Sequence, residues 1–328
     1  MDISRFKDEA EYLARMKTPG ALLNPRVDST FKALFTQPTA ASKAALHAFL
    51  EAAIERRITS VQLTANDAPA EFVGQRGVSY DIICTFDDGP AANIEMQAFN
   101  QKYDYGKRAG YQVSRLETTY LEKGAHWEKA PQVYQITVLD FNYAPKGGGK
   151  VTTTAAEAPV SRYALRTADG RELTDSLNVI FIELPKTALL EESVETNTPL
   201  ENWAVFLKNA DNPAKQGIIQ KLVEKEAGLM QAREILSSIS GDKNMWVAQY
   251  RQEMFERDIR SGLSAARQEG IQEGVEKGIK IGEEKGIKIG EEKGSQKKGI
   301  QIAKKYMALG HSAEEAAAFA EIDVEALK

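Results

Sequence analysis

Apolar residues recur along the chain with two periods, and the switch between them outlines its elements. Residues 80–86 crowd β-branched and aromatic side chains into one short run, and residues 93–99 form a second. Between them lies Asp87-Asp88-Gly89-Pro90, strong turn punctuation, so the pattern predicts two strands around a turn. Alternation predicts further strands over residues 133–141, 163–166 and 179–184, with Asp169-Gly170 in a turn and an edge strand starting at Val61. Helical spacing appears elsewhere. Residues 2–17 read as a short helix ended by Thr18-Pro19-Gly20. Phe31, Leu34 and Phe35 define a second helix, with Asp28 or Ser29 as its cap. Ala45, Phe49, Ala52 and Ala53 stripe a third over residues 41–58, and a looser pattern covers 101–123, with Gly124 as its stop. Strands and helices alternate through residues 28–185, which predicts an α/β layered domain. Residues 200–260 are helical in pattern, with Trp203, Phe206, Trp246 and Tyr250 read as core.

The two central strands carry polar residues where a core strand should exclude them: Asp81, Glu95 and Gln97. Glu95 and Gln97 are two apart and share one face. Asp81 joins them only under one hairpin parity. A two-residue Asp88-Gly89 loop puts it on the other face. A three-residue loop, with Gly89 left-handed, sets Asp81 opposite Glu95 and leaves Ile82, Ile94 and Met96 for the core, and this is the favoured register. Carboxylates so gathered repel unless a cation sits between them, and hard oxygen ligands suit Mg²⁺ or Mn²⁺.

Composition narrows the classes. The 328 residues carry a net charge of −5, so nucleic-acid contact must come from a local patch. Lys107, Arg108 and Arg115 on the 101–123 helix are candidates for a DNA backbone contact, and Arg76 is a further cation before the first site strand. One cysteine, Cys84, sits in an apolar run and reads as a core residue; with no disulfide and no signal-peptide pattern, a reducing cytoplasm is expected. No apolar run approaches membrane-spanning length, so no membrane partner is expected. Zinc spacing, nucleophile elbows and phosphate-binding loops are missing from the sequence.

From Gly270 to Gly294 glycine recurs every fourth residue, within a repeated Glu-Lys-Gly-Ile-Lys-Ile-Gly-Glu unit. Glycine costs a helix roughly 1 kcal/mol relative to alanine, so a lone helix here is weak. A mobile expanded repeat and a self-associating tail stand as equal alternatives. Residues 300–327 predict two short helices broken at Gly310, with Ser312 as a cap.

The ordered set of these motifs resembles the Rpn (recombination-promoting nuclease) and putative transposase family of the PD-(D/E)XK nucleases. It comprises Asp28 before Phe31-Lys32-Ala33-Leu34-Phe35, Asp81, then Glu95-Met96-Gln97 (acid-x-Gln where the wider superfamily has acid-x-Lys), Arg108-Ala109-Gly110-Tyr111, and Phe181-Ile182-Glu183-Leu184-Pro185-Lys186. The resemblance implies a restriction-endonuclease-like core, a mixed sheet flanked by helices, over residues 1–199. A helical extension (200–269), the repeat tail (270–299) and a C-terminal helical segment (300–328) would follow. It further implies a Mg²⁺- or Mn²⁺-dependent DNA endonuclease associated with recombination or mobile elements. Asp81 and Glu95 would be the metal ligands, Asp28 would assist, and Gln97 would hold water or phosphate. Glutamine brings only a dipole, so a slower enzyme, or one with a cation borrowed from elsewhere such as Lys186 or Lys102, is expected. The alternative is a nuclease-like scaffold that binds DNA or protein and assembles through its tail.

Overall fold

The structure, a computed structural model, describes residues 9–64, 67–68, 78–87, 89–99, 104–121, 124, 126–143 and 158–327. It divides into two compact units, Met1–Phe255 and Glu256–Lys328.

Three helices open the first unit: α1 (Glu9–Met16), α2 (Asp28–Thr36) and α3 (Ala40–Ile54). The chain then lays down β1 (Val61–Leu63), the short pair β2 (Asp67–Ala68) and β3 (Val78–Ser79), and the hairpin β4 (Ile82–Phe86) and β5 (Ala91–Gln97). Helix α4 (Tyr105–Tyr120) crosses over to β6 (Val133–Leu139), followed by β7 (Val160–Ala164) and β8 (Leu177–Glu183). Six strands form one mixed sheet in the order β1-β4-β5-β6-β8-β7. Its centre, β5-β6-β8, is parallel and its flanking pairs are antiparallel. The mixed sheet between helices is the α/β fold that the sequence predicts.

Covering helices explain the strand composition. All 7 residues of β6 are buried, because both faces of a parallel sheet are packed. On one face Ile82, Cys84, Ile94, Met96, Ile136 and Ile182 join α2 and α3 in the main core. That core also takes in α5 (Pro199–Asn209), α6 (Gln216–Lys225) and α7 (Ala227–Ser240). On the other face α4 packs over β5, β6 and β8, through Val113 and Leu116 near β4 and Tyr105 and Ala109 near Phe181.

Helix α8 spans Lys243–Met307, 65 residues across the division between the units. Its first turns belong to the first unit. Trp246 is buried beside Tyr12, and the Gln249 side chain accepts from Asn24 N (2.8 Å) and Thr30 Oγ1 (3.1 Å). The glycine repeat is helical and exposed. In the second unit the first of the two short helices expected after residue 300 is the end of α8. Gly310, at φ +101°, turns the chain into α9 (Ala313–Phe319), which Ser312 and Glu315 begin with a reciprocal capping box. Gly299, Ala303, Ala316 and Ala317 fill the small interior there.

Candidate functional site

The hairpin register decides which polar residues meet. Ile82 pairs with Ile94, Cys84 with Ala92 and Thr85 with Ala91, and Phe86 N donates to Pro90 O across a three-residue turn. Asp81 immediately precedes β4, and its carboxylate meets Lys32 of α2 and Met96 N, whereas Glu95 turns to Tyr105, Arg108 and Gln112 of α4. The left-handed residue of the turn is Asp87 (φ 49°) and not Gly89. An aspartate tolerates this region when its side chain finds local partners. The Asp87 carboxylate does so, accepting from Thr59 N and Thr59 Oγ1 at 2.7 Å each.

Asp28 opens α2 but does not cap it. The N-cap position is Val27, with no side-chain cap bond. Instead Asp28 Oδ2 takes the Lys32 ammonium one turn on, at 2.9 Å, and the same ammonium lies 3.0 Å from Asp81 Oδ1. A lysine cation thus bridges two carboxylates from different elements. Met96 N donates to the other Asp81 oxygen at 3.3 Å. Burial, then Asp28 and then Glu95 push the Asp81 carboxyl up to about 6, against the opposing pull of Lys32. The second oxygen of Asp28 is buried with no hydrogen-bond partner.

Glu95 is fully buried. Its carboxylate accepts from Asn93 Nδ2 (3.1 Å), Tyr105 OH (3.2 Å) and the Gln112 side-chain amide, and lies 3.6 Å from an Arg108 nitrogen. The cluster extends along the sheet face through Gln135, which accepts from Asn93 at 2.8 Å, and Thr137. Tyr105, Arg108 and Gln112 come from one face of α4, at helical spacing. Burial and the neighbouring Glu95 hold the Tyr105 phenol well above its usual range, so it remains a donor.

Gln97 ends β5 half-buried. Its backbone carbonyl accepts from Asp140 N, and no hydrogen bond ties its side chain to another described residue. Of the two cations proposed to assist it, Lys186 is held on buried Glu183 at 2.6 Å, two strands away in the sheet, and Lys102 lies outside the described residues. Arg76 also lies outside them. Of the three candidate DNA-contact residues, Lys107 is exposed and Arg108 faces Glu95. Arg115 is only 7% exposed, on the side of α4 that meets Tyr80, so burial takes it away from any backbone-contacting surface.

The sequence reading did not single out Lys32, Tyr105, Gln112 or Asn93. Two signals were present. Lys32 stands four residues after Asp28, the spacing of a helical ion pair, and Asn93 is two before Glu95 on the same strand face. The approach of α2 to the start of β4 is a tertiary fact with no local signal.

A family model described as PD-(D/E)XK nuclease family transposase matches residues 25–266. The chain belongs to this family. The match contains every element of the six-stranded sheet, Asp28, Asp81 and Glu95, and the opening turns of α8. No curated protein and no solved structure matches the chain. Among the described residues no helix is long and apolar enough to cross a membrane.

Among the described residues no three acid, histidine or cysteine side chains form a ready-made metal cage. The donor set nonetheless fits a hard divalent ion. It offers oxygen ligands only, one buried Asp28 oxygen without a partner, and an Asp81 carboxylate whose charge is disfavoured by its neighbours. Lys32 and Arg108 supply the positive charge at these carboxylates.

Proposed function

We propose that the chain is a divalent-metal-dependent nuclease that hydrolyses phosphodiester bonds in DNA, in the setting of recombination or mobile elements. The observation that carries this reading is the meeting of Asp28 and Asp81 around one ammonium, with Asp81 bonded to the strand that carries Glu95, in a chain of this family. Asp81 and Asp28 would hold the Mg²⁺ or Mn²⁺, with Glu95 behind them. When bound, such an ion supplies an activated water and neutralises charge on the phosphate.

The remaining work falls to the chain. The Met96 N–H fixes Asp81 through one oxygen and leaves the other directed to the cation site. Asn93, Tyr105 and Gln112 lock the Glu95 rotamer, so this carboxylate does not reorganise during reaction. The Gln97 amide, at the open end of β5, donates to a phosphate oxygen or orients the attacking water. Lys107 faces solvent on α4 and meets the DNA backbone, a local positive contact on a protein of net charge −5.

One observation favours a second reading, a nuclease-like scaffold without turnover: Glu95 is already saturated by four partners and has no exposed surface. Supercoiled plasmid separates the two. Cleavage by the full chain in Mg²⁺ that disappears in EDTA and in Asp81→Ala supports the enzyme. A folded wild type that binds DNA but leaves it intact, with Mg²⁺ or Mn²⁺, supports the scaffold.

A further inference from the structure

The acid-x-Gln motif leaves this site without the lysine that would sit two residues after Glu95. A nuclease needs positive charge beside the scissile phosphate, and a glutamine dipole does not replace it. The position of the missing charge is defined by the sheet, at the open ends of β4 and β5 where Asp81 and Gln97 stand.

Four described cations stand near this end of the sheet. Arg26 is held on Asp140 at 3.4 Å and is only 7% exposed. Lys186 is bound to Glu183 and sits two strands away from Gln97. Arg108 is 35% exposed, much as Lys32 is, but the carboxylate it faces, Glu95, is only 1% exposed. Lys32 is different. Its ammonium contacts Asp28 and Asp81, which are 34% and 19% exposed, and its own side chain is 36% exposed. It therefore lies at the accessible mouth of the site. It comes from helix α2, which is anchored on the sheet by Phe31, Leu34 and Phe35, while its four-carbon stem leaves the charge free to move by a few ångströms.

We propose that Lys32 is the catalytic cation of this site, presented from α2 in place of the lysine that β5 lacks. The inference rests on the nuclease reading. In the structure described, the ammonium bridges Asp28 and Asp81. With metal on those carboxylates it turns to a non-bridging oxygen of the scissile phosphate and stabilises the charge that develops there. Lys32 and Gln97 then divide between them the tasks of one lysine: charge from the helix, hydrogen bonding from the strand.

The test uses the full chain, with single-turnover plasmid cleavage, Mn²⁺ binding by calorimetry and thermal unfolding measured on each variant. Lys32→Met is expected to bind Mn²⁺ at least as tightly as wild type, because two carboxylates lose a competing cation, and to cleave about 100-fold more slowly. Adding Gln97→Lys to Lys32→Met is expected to recover tenfold or more, since the charge returns from the strand. Lys32→Arg, which keeps a cation on α2, is expected to hold cleavage within tenfold of wild type. This last variant keeps the proposal testable even where Lys32→Met loses its fold, because a folded, Mn²⁺-binding Lys32→Arg protein that does not cleave would overturn the proposal. So would a Lys32→Met protein that cleaves within threefold of wild type, or a folded, Mn²⁺-binding double variant with no recovery. Loss of cleavage in Arg108→Met with Lys32→Met unaffected would move the role to Arg108. A wild type that does not cleave at all would sink the nuclease reading and Lys32 with it. An active wild type with an indifferent Lys32→Met sinks the Lys32 assignment alone.

Discussion

The most telling residue is Asp81, because its environment opposes its own charge. An acid whose folded pKa lies above its unfolded value of 3.8 loses stability on ionising. That penalty is present above about pH 6, and it is relieved as pH falls from there toward 3.8. A shift of this size corresponds to at most about 3 kcal/mol. Asp28 and Glu95 face Asp81 with like charge and Lys32 with opposite charge, so the sign belongs to the whole cluster. Asp81→Asn is therefore expected to abolish cleavage while raising the melting temperature at pH 8 in EDTA, with the gain shrinking toward pH 4. A melting temperature that falls at pH 8 would refute this account of the site. The cations on α4 separate in the same manner. Lys107→Ala should weaken DNA binding and lower the salt-dependence slope by about 0.9, leaving stability unchanged. Arg115→Ala should cost roughly 1–3 kcal/mol in urea unfolding, because it removes a buried charged group from the Tyr80 side of the helix. A loss of DNA affinity in Arg115→Ala without loss of stability would return that residue to the surface role expected from sequence.

Among the elements, local signals were legible and contacts between elements were not. The period-2 runs gave β4, β5, β6 and β8, and parity of the polar residues gave the three-residue turn; that the Asp81 carboxylate would reach Lys32 of α2 had no such signal. The left-handed position went to Asp87 because its side chain is paid in hydrogen bonds from Thr59 and Ser60, contacts that no dipeptide rule contains. Asp28 looked like a cap because aspartate is a good one, but a lysine one turn away and a second carboxylate beyond it offered a stronger partner than the helix amides. Helix packing was likewise hidden. Gly228 in α7 reads as a weak point, yet a Cβ there would collide with Ala48 of α3. Two effects compete in Gly228→Ala: about 1 kcal/mol of better helix propensity against roughly 1–3 kcal/mol of overpacking. The clashing atom is a Cβ fixed to another helix's backbone and cannot swing away, so overpacking wins. Gly228→Ala is expected to lower the urea midpoint, whereas Gly217→Ala in α6, whose Cβ meets nothing, is expected to raise it.

For the whole molecule, the question is what holds a 65-residue helix that crosses from one compact unit into the other. Its first turns are held by tertiary contacts of Trp246, Gln249 and Tyr250 with α1 and α2. Its last turns pack Gly299 and Ala303 within the second unit. Between them the glycine repeat has no such support. Ile271, Val275, Ile279, Ile281, Ile287 and Ile289 are each half exposed or more, and seven glycines each cost the helix about 1 kcal/mol relative to alanine. Helices derive most of their stability from a packed face, so this stretch is the least stable part of the chain. Amide hydrogen exchange on the full chain at submicromolar concentration is expected to show residues 270–294 exchanging orders of magnitude faster than α2, α5 or the Trp246 turn. Strong protection at that dilution would contradict the argument, since nothing within the described residues supplies it. Repeating the measurement at a hundredfold higher concentration decides between the two sequence readings of the tail. Protection that grows with concentration means that further copies cover the exposed isoleucines, and exchange that stays fast means that the repeat is carried by the chain as an unsupported helix.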